Sequence, residues 1–353
     1  MRPLPLRETL LDWYARHGRR LPWRETRDPY HIWVSEIILQ QTRIAQGTDY
    51  YLRFVERFPD IASLAAASED QVLKQWQGLG YYSRARNLHR AAQLLAEQFD
   101  GQFPRSYHQV RSLPGIGDYT AAAICSIAYR MPYAVLDGNV YRVLSRYFDL
   151  DTPIDTTAGK KLFTRLANEQ LDQDRPGDYN QAIMDFGALQ CTPSLPECPR
   201  CPLRPRCRAQ AAGTVALRPA KSKRSEPSPR YLHYFHIVSP EGTWVRRRTE
   251  DDIWRGLYEF PRIETPDDLP AEQMLSDVRY KALIRSAATA KVLETLPPVK
   301  HLLSHRVLHI RFYRVSIPTP GFSLEGYAPA TKEDLAHFAF PRPLAAYLER
   351  SAR

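Results

Sequence analysis

The sequence predicts a multi-domain protein: an all-α domain over residues 1–212, a basic linker over 213–229 and a smaller α+β domain over 230–353. Up to about residue 208 the chain is a series of segments with helical periodicity, several of which end at Gly or are followed by Pro. Beyond the linker, β-branched and aromatic residues dominate. The linker itself carries prolines and positive charges and has no periodicity.

The individual elements follow from these patterns in chain order. The helices predicted in the first domain are RETLLDWYARHG, HIWVSEIILQQTRIAQG, SEDQVLKQWQGLG, ARNLHRAAQLLAEQF, a short helix near 105–112, YTAAAICSIAYR, NVYRVLSRYFDL and AGKKLFTRLANEQL. The strands predicted in the second domain are RYLHYFHIVS, GTWVRRRT, GLYEFPRIE and HLLSHRVLHIRFYRVSI, with a hairpin turn at SPEG (239–242) and a closing helix, PRPLAAYLERS.

The net charge of +10 favours a polyanionic partner, and nucleic acid is the commonest one. Charge alone leaves this open, because many basic proteins bind no nucleic acid. The sequence has no apolar run long enough to span a bilayer, and its first residues read as an amphipathic helix without a signal-peptide core. We therefore expect a cytoplasmic, reducing location, no membrane partner and, in the absence of any oligomer signal, a monomer.

Four cysteines fall close together with the spacing C-x6-C-x2-C-x5-C: Cys191, Cys198, Cys201 and Cys207. In a reducing compartment this spacing predicts metal ligands rather than disulfides. Zinc and a 4Fe–4S cluster both accept four cysteines, and the spacing alone leaves both open.

Two carboxylates are candidates for catalysis. Glu36 lies in the apolar run HIWVSEIILQQT, where it either faces solvent or enters a pocket that raises its pKa enough for general acid work. Asp137, in AVLDGNVYRVLSR, is either a helix N-cap or a catalytic group. Together in one cleft, two carboxylates would suit cleavage of a glycosidic bond through an oxocarbenium-like state.

The stretch LPGIGDYTAAAIC predicts two helices joined by a tight turn that depends on Gly115 and Gly117. Glycines at a helix N-terminus allow the backbone N–H groups to approach an anion closely, and the anion expected here is a DNA phosphate. The alternative is a purely structural corner between two helices.

LPGIGDYTAAAIC, LDGNVYRVLSR and the cysteine cluster, in that order, resemble the helix–hairpin–helix DNA glycosylase superfamily over about the first 210 residues. The resemblance implies a helix–hairpin–helix fold for the first domain and a 4Fe–4S cluster held by the four cysteines.

Within this superfamily, LPWR, VSEIILQQT, GLGYYSRARNL and DGNV are similar to the adenine DNA glycosylase (MutY-type) family. Endonuclease III-type enzymes carry a Schiff-base lysine at the hairpin position that Tyr119 occupies here. Tyrosine cannot form that intermediate, so the resemblance implies a monofunctional glycosylase acting in base excision repair. A bifunctional glycosylase/lyase and a non-catalytic iron–sulfur DNA-binding module are the alternatives.

The resemblance also implies roles for individual residues. Glu36 would protonate adenine at N7, and Asp137 would stabilise the cation at C1′, with Tyr119 and Asn139 orienting the groups around it. The pocket for the extruded adenine would be shaped by Arg19, Leu21, Trp23 and Arg24. The target base must leave the base stack before it can be excised. The residues that the resemblance implies enter the duplex are Gln41, Thr42, Leu79 and Tyr81.

In the second domain, DDIWRGLYEFP and HLLSHRVLHIRFY resemble the Nudix-like domain that this family uses to recognise 8-oxoguanine. The glutamate cluster of Nudix hydrolases is absent from the sequence after LYEFP, which implies binding without hydrolysis. Ser304 and His305 would contact the lesion, although Leu303 stands where family members usually have Phe. The implied partner is double-stranded DNA with adenine opposite 8-oxoguanine or guanine, in a cytoplasmic, nucleoid-associated setting of the bacterial type.

Overall fold

A computed structural model of the chain describes residues 5–222, 226–285, 289–303, 305–318 and 320–351. The described residues divide into two compact units, the first drawn from 1–66 and 87–224 and the second from 67–86 and 225–353. The segment Ala67–Arg86 therefore groups with the C-terminal residues, although it lies within the helical part of the sequence.

The regular elements among the described residues up to 212 are helices, as the sequence predicts. The helices are α1 (Leu6–His17), α2 (Pro29–Leu39), α3 (Ile44–Arg57), α4 (Ile61–Ala66), α5 (Glu69–Gln75), α6 (Ser83–Gln98), α7 (Tyr107–Ser112), α8 (Asp118–Tyr129), α9 (Gly138–Phe148), α10 (Thr157–Gln170), α11 (Pro176–Leu189) and α12 (Arg208–Ala212). Of these, α5 and the first residues of α6 belong to the second unit.

The segment HIWVSEIILQQTRIAQG forms two helices, so the prediction of a single helix is wrong. α2 ends at Leu39 and α3 begins at Ile44. Between them, Gln41 adopts a left-handed backbone conformation with φ of 57°, which interrupts helical hydrogen bonding. The break leaves Glu36 in the last turns of α2, close to a change of chain direction.

The core of the first unit holds together the helices that carry the candidate site. α11 packs against α1, α8 and α9, and α2 packs against α8. The buried face of α8 includes Ala121, Ala122 and Ala123, whose small side chains permit close helix packing. Close packing here brings α2, α8, α9 and α11 around one shared volume.

The second unit is built on a mixed sheet. Its strands are β1 (Ser228–Ser239), β2 (Gly242–Arg247), β3 (Tyr258–Glu259), β4 (Arg262–Thr265), β5 (Lys291–Thr295), β6 (Val299–Leu302), β7 (Arg306–Ser316) and β8 (Ala328–Ala330). The main order is β3-β2-β1-β7-β5, with β1 and β7 parallel. β1 and β2 form the predicted hairpin, closed at Ser239 and Gly242.

The segment HLLSHRVLHIRFYRVSI, predicted as one strand, forms the antiparallel pair β6 and β7. The helices of this unit beyond the linker are α13 (Ala271–Ser276), α14 (Val278–Leu283), α15 (Lys332–His337) and α16 (Arg342–Ser351). One apolar core includes residues of α16 such as Tyr347, and a second includes Met274 of α13 and Tyr280 of α14. In the described part of the chain, no helix is both long enough and apolar enough to cross a membrane.

Candidate active site

A cavity of about 650 Å³ in the first unit gathers all of the predicted catalytic and adenine-pocket residues. Leu39, Arg142 and Met184 are among the other residues of its wall. The predicted site residues that line it are Arg19, Leu21, Trp23, Arg24, Glu36, Thr42, Tyr119, Asp137 and Asn139. Gln41 and the hairpin glycines, Gly115 and Gly117, do not line it.

Glu36 and Tyr119 face each other in this cavity. The Tyr119 hydroxyl donates a hydrogen bond to Glu36 Oε2 over 2.6 Å and also lies 3.3 Å from Met184 Sδ. Glu36 is only 9% exposed, and burial raises its pKa to about 6, while the Tyr119 hydrogen bond lowers it and Asp137 raises it. Glu36 is therefore placed to carry a proton close to neutral pH.

Asp137 is the N-cap of α9, and its carboxylate accepts three hydrogen bonds. Oδ1 accepts from the Asn139 and Val140 amides at 2.9 and 2.8 Å, and Oδ2 accepts from Asn139 Nδ2 at 2.7 Å. The pKa of Asp137 is raised, because burial outweighs the hydrogen bonds from Val140 and Asn139, which lower it. The capping role and the catalytic role are thus compatible, because capping fixes the carboxylate in the cavity wall.

Arg142, one turn further along α9, was not singled out in the sequence. Its Nη2 donates to Asn139 Oδ1 at 2.8 Å and to the Gly187 carbonyl at 2.6 Å, and its Nε donates to the Cys191 carbonyl at 2.7 Å. Arg142 therefore connects the Asp137–Asn139 pair to the first cysteine of the cluster segment.

Asp185 on α11 is the other residue that sequence reasoning missed. Its side chain is fully buried and pairs with both Arg19 and Arg24, the latter at 2.7 and 2.9 Å. Burial acts to raise the pKa of Asp185, but the hydrogen bonds from Arg24 and Arg19 outweigh it and lower the pKa. The carboxylate thus fixes two arginines of the cavity wall. An acidic residue inside the apolar stretch NQAIMDFGAL was the available signal.

The four cysteines are half-buried in the segment that follows α11. Burial raises the pKa of the Cys201 thiol to about 12, the Leu203 amide lowers it by hydrogen bonding, and the other three thiols raise it again. The four sulfurs therefore lie near enough to influence one another.

Two features of this segment fit a negatively charged metal–thiolate group. Arg146 Nη1 lies 3.4 Å from Cys191 Sγ, and the Gln210 and Ala209 amides donate hydrogen bonds to Cys207. Among the residues the structure describes, no group of three or more His, Cys, Asp or Glu side chains is arranged to hold a metal ion. Four cysteine thiolates are the donor set that a 4Fe–4S cluster takes.

The hairpin between α7 and α8 forms where the sequence predicts it, but of its two glycines only Gly115 has a positive φ. Gly115 adopts a φ of +76°, and a Cβ there would lie 2.7 Å from the Asn87 Cβ. Gly117 is the N-cap of α8, and a Cβ there would meet no atom within 4 Å. The first glycine is therefore required by the fold, whereas the second leaves open space before a helix N-terminus.

The remaining predicted DNA contacts lie outside this cavity. Leu79 and Tyr81 belong to the turn between α5 and α6 in the second unit, where Leu79 is half-buried and Tyr81 is 48% exposed. His305 is exposed between β6 and β7, and Ser304 lies outside the described residues.

Comparison with known proteins agrees with this arrangement. Residues 34–169 match the HhH-GPD superfamily of base excision DNA repair proteins, and residues 233–350 match the NUDIX domain family. An adenine DNA glycosylase of Buchnera aphidicola subsp. Baizongia pistaciae is 35% identical over 312 residues, which cover 88% of this chain and 86% of the relative. The chain belongs to the adenine DNA glycosylase family. The human member is 32% identical over 382 residues, covering 92% of this chain and 68% of its own.

Solved structures extend the similarity to the fold of more than half of the chain. A thermostable thymine-DNA glycosylase matches with a TM-score of 0.55 and 28% identity, covering 58% of this chain and 95% of its own. An endonuclease III–DNA complex matches with a TM-score of 0.51 and 21% identity over 59% of this chain and 94% of its own, which is a likeness of fold.

Proposed function

We propose that this protein is a monofunctional DNA glycosylase that removes adenine opposite 8-oxoguanine or guanine from duplex DNA. The observation that carries the proposal is the constellation in one cavity of a buried carboxyl with a raised pKa, the tyrosine bonded to it and a second, N-capping carboxylate: Glu36, Tyr119 and Asp137. No lysine is among the described residues that line this cavity, so no amine is present there to form a Schiff base with the sugar.

The chemistry follows from the two carboxyl groups. Glu36 gives its proton to N7 of adenine as the bond between C1′ and N9 breaks, and the bonding electrons leave with the base. The sugar becomes an oxocarbenium-like cation, which the Asp137 carboxylate stabilises at short range. A water molecule then adds to C1′ and returns a proton to Glu36, which leaves an abasic site and free adenine.

Tyr119 and Asn139 hold these groups in position. The Tyr119 hydroxyl donates to Glu36 Oε2, which leaves the other carboxyl oxygen to carry the proton. Asn139 binds Asp137 through both its amide groups and is itself held by Arg142. The paired arginines Arg19 and Arg24 form the adjoining wall, where the extruded adenine would lie together with Leu21 and Trp23.

We assign sequence-independent DNA binding to the α7–α8 hairpin. Its support is the open space at Gly117, the exposed N-terminus of a 12-residue helix and the preference of such termini for phosphate. Thr42 lines the cavity and Gln41 is exposed beside it in sequence, which suits contact with the base opposite the target.

We assign a 4Fe–4S cluster to Cys191, Cys198, Cys201 and Cys207. Four thiolate donors, nearby amide donors and Arg146 suit a cluster of this charge and ligand number. The cluster, when bound, would hold the segment whose carbonyl groups bind Arg142 and Arg146.

The second unit is proposed to recognise the lesion through His305. Because His305 is exposed between two strands, its substitution by Ala should leave folding intact. We expect His305→Ala to slow adenine release more for adenine opposite 8-oxoguanine than for adenine opposite guanine. Equal slowing on both duplexes would remove His305 from lesion recognition.

The test of the proposed function is a single-turnover assay on duplexes that carry adenine opposite 8-oxoguanine, with thymine opposite 8-oxoguanine as the control. Strand breaks that appear only after alkali, and only with adenine, are expected. Glu36→Gln should abolish release while duplex binding persists.

Other outcomes would point to other functions. Breaks without alkali, together with covalent trapping by borohydride, would indicate a lyase with a nucleophile other than Tyr119. Tight duplex binding with no base release, by protein whose cluster is intact, would indicate a binding module.

A further inference from the structure

The second unit contains one segment from the helical part of the chain, Ala67–Arg86, and C-terminal residues hold this segment along its length. At the start of α5, Arg247 Nη2 lies 2.6 Å from Glu69 Oε1 and 3.4 Å from Asp70 Oδ1. The Tyr258 hydroxyl donates to Asp70 Oδ2 at 3.3 Å. Arg247 of β2 and Tyr258 of β3 thus both bind the first turn of α5.

The far end of α5 is held by a different C-terminal segment, the residues between α15 and α16. Lys74 Nζ donates to the Phe338 carbonyl at 2.9 Å. Gln77 Oε1 accepts from the Phe340 amide at 3.4 Å. The Tyr82 hydroxyl donates to the Phe340 carbonyl at 3.5 Å and accepts from the Gly78 amide at 3.2 Å. The backbone of Phe340 therefore binds residues on both sides of the turn 78–81.

The turn itself is backbone-strained. Gly78, Gly80 and Tyr81 have φ of 98°, 75° and 48°, and the left-handed conformation is unfavourable for the bulky Tyr81 but not for the two glycines. The Gly80 carbonyl accepts from Trp76 Nε1 and from Arg84 Nη2, each at 3.1 Å. Strain of this kind persists only where the surroundings fix the backbone, and here Trp76 is fully buried.

We infer that the C-terminal residues of the second unit set the position of the turn 78–81, with Arg247, Lys74 and Tyr82 as positioning residues. The inference rests on the proposed function and on the expectation from the sequence that Leu79 and Tyr81 of this turn enter the duplex. It assigns the C-terminal part of the chain a part in extruding adenine that is separate from any contact with the opposite base. The pair Arg247–Glu69 acts through α5 on the turn and does not itself touch the substrate.

Base extrusion is measured with 2-aminopurine in place of the target adenine, since its fluorescence rises when it leaves the stack. The test variants are Arg247→Ala and Glu69→Ala, each of which removes one partner of the same ion pair. A half-exposed pair contributes up to about 1 kcal/mol, so each variant should lower the extruded fraction by about two- to fivefold. Lys74→Met, which keeps the apolar stem and removes the bond to Phe338, should act in the same direction.

The two charge variants separate positioning from simple attraction to DNA. If Arg247 bound phosphate, Arg247→Ala would weaken duplex binding while Glu69→Ala, which removes a negative charge, would strengthen it. Positioning requires that both variants lower extrusion. Arg279→Ala is the matched control, because Arg279 forms an exposed pair with Asp277 on α14 and its loss changes net charge equally.

The extruded fraction in the three charge variants tests the inference. Lowered extrusion in both charge variants, with unchanged Arg279→Ala and unchanged thermal unfolding, supports the inference. Unchanged extrusion, or effects of opposite sign, overturns it. A wild-type protein that extrudes and releases no adenine would instead refute the proposed function, whatever the variants do.

Discussion

The chemistry of Glu36 is set by what surrounds it on α2. Burial raises its pKa to about 6, and the hydrogen bond from Tyr119 opposes that rise. Because the proposed acid works only while protonated, we expect the single-turnover rate to fall as pH rises through about 6. Tyr119→Phe removes the opposing hydrogen bond, so the falling limb should move to higher pH.

The measurement is a set of single-turnover rates across this pH range for the wild type, Tyr119→Phe and a control tyrosine variant. Tyr129→Phe is the control, since the Tyr129 hydroxyl donates to the Phe103 carbonyl and Tyr129 does not line the cavity. A limb that stays in place in Tyr119→Phe would mean that another group controls the rate.

Burial of Glu36 also has a consequence for stability. The folded pKa of about 6 lies above the ordinary value of 4.5, so the folded protein binds the proton more tightly than the unfolded chain. The stabilisation from this proton is complete below pH 4.5 and is lost as pH rises through about 6. Glu36→Gln, which stays neutral, should therefore unfold with a free energy about 2 kcal/mol higher than the wild type at pH 8.

Urea unfolding at two pH values tests this expectation. The difference between Glu36→Gln and wild type should be present at pH 8 and should shrink below about pH 4.5, where both side chains are neutral. A variant that is less stable at both values would show that the loss of the carboxylate's contacts outweighs the desolvation of its charge.

At the scale of elements, the hairpin between α7 and α8 offers a matched pair of glycines. Gly115→Ala places an alanine in a left-handed backbone conformation and its Cβ against Asn87. It should therefore destabilise the first unit, and weaken DNA binding only as a consequence. Gly117→Ala meets open space and should change stability by about 1 kcal/mol or less, while its methyl group obstructs a phosphate at the α8 N-terminus.

Thermal unfolding and duplex affinity, measured on both variants, separate the two roles. Gly117→Ala should lose affinity without losing stability. If it binds DNA as tightly as the wild type, the hairpin is a structural corner and the phosphate site lies elsewhere.

Individual elements were predictable where local signals decided them. The turn SPEG (239–242) separates β1 and β2, and Gly242 closes the hairpin, as its composition indicates. The break at Gln41 was not, because QQTR contains neither Gly nor Pro and its left-handed residue has no local signature. The break between β6 and β7 was missed for the same reason, since HLLSHRV contains neither Gly nor Pro.

The residues of the candidate site likewise fall into those with a local sequence motif, which were predicted, and those without one, which were missed. Glu36, Tyr119 and Asp137 were identified from their sequence motifs, and they line one cavity. Asp185 and Arg142 were missed, because their partners are distant in the sequence: Asp185 pairs with Arg19 and Arg24, and Arg142 binds the carbonyl of Cys191. Buried ion pairs between distant segments leave no periodic pattern in either segment.

At the scale of the whole molecule, chain order and spatial grouping differ. β1 pairs in parallel with β7, about 80 residues later, and the segment Ala67–Arg86 groups with residues beyond 225. Neither follows from local periodicity, because each depends on which distant surfaces fit together. The sequence therefore predicted two domains and their classes, while the assignment of α5 to the second unit came from the structure.

The net charge of +10 is a property of the whole molecule. It should make duplex affinity depend on salt concentration, while the rate of adenine release should not. Lys and Arg that neutralise phosphates release counterions, so contact with six to ten phosphates would lower duplex affinity by about 10³–10⁵ between 50 and 200 mM salt. The step inside the cavity should respond differently, because Glu36 is buried and buried groups are little screened by salt. We expect the rate of adenine release from a preformed complex to stay nearly constant over the same range. Titrations and single-turnover rates on one duplex measure both quantities, and a release rate that fell in parallel with affinity would place the rate-limiting step at DNA engagement instead of in the cavity.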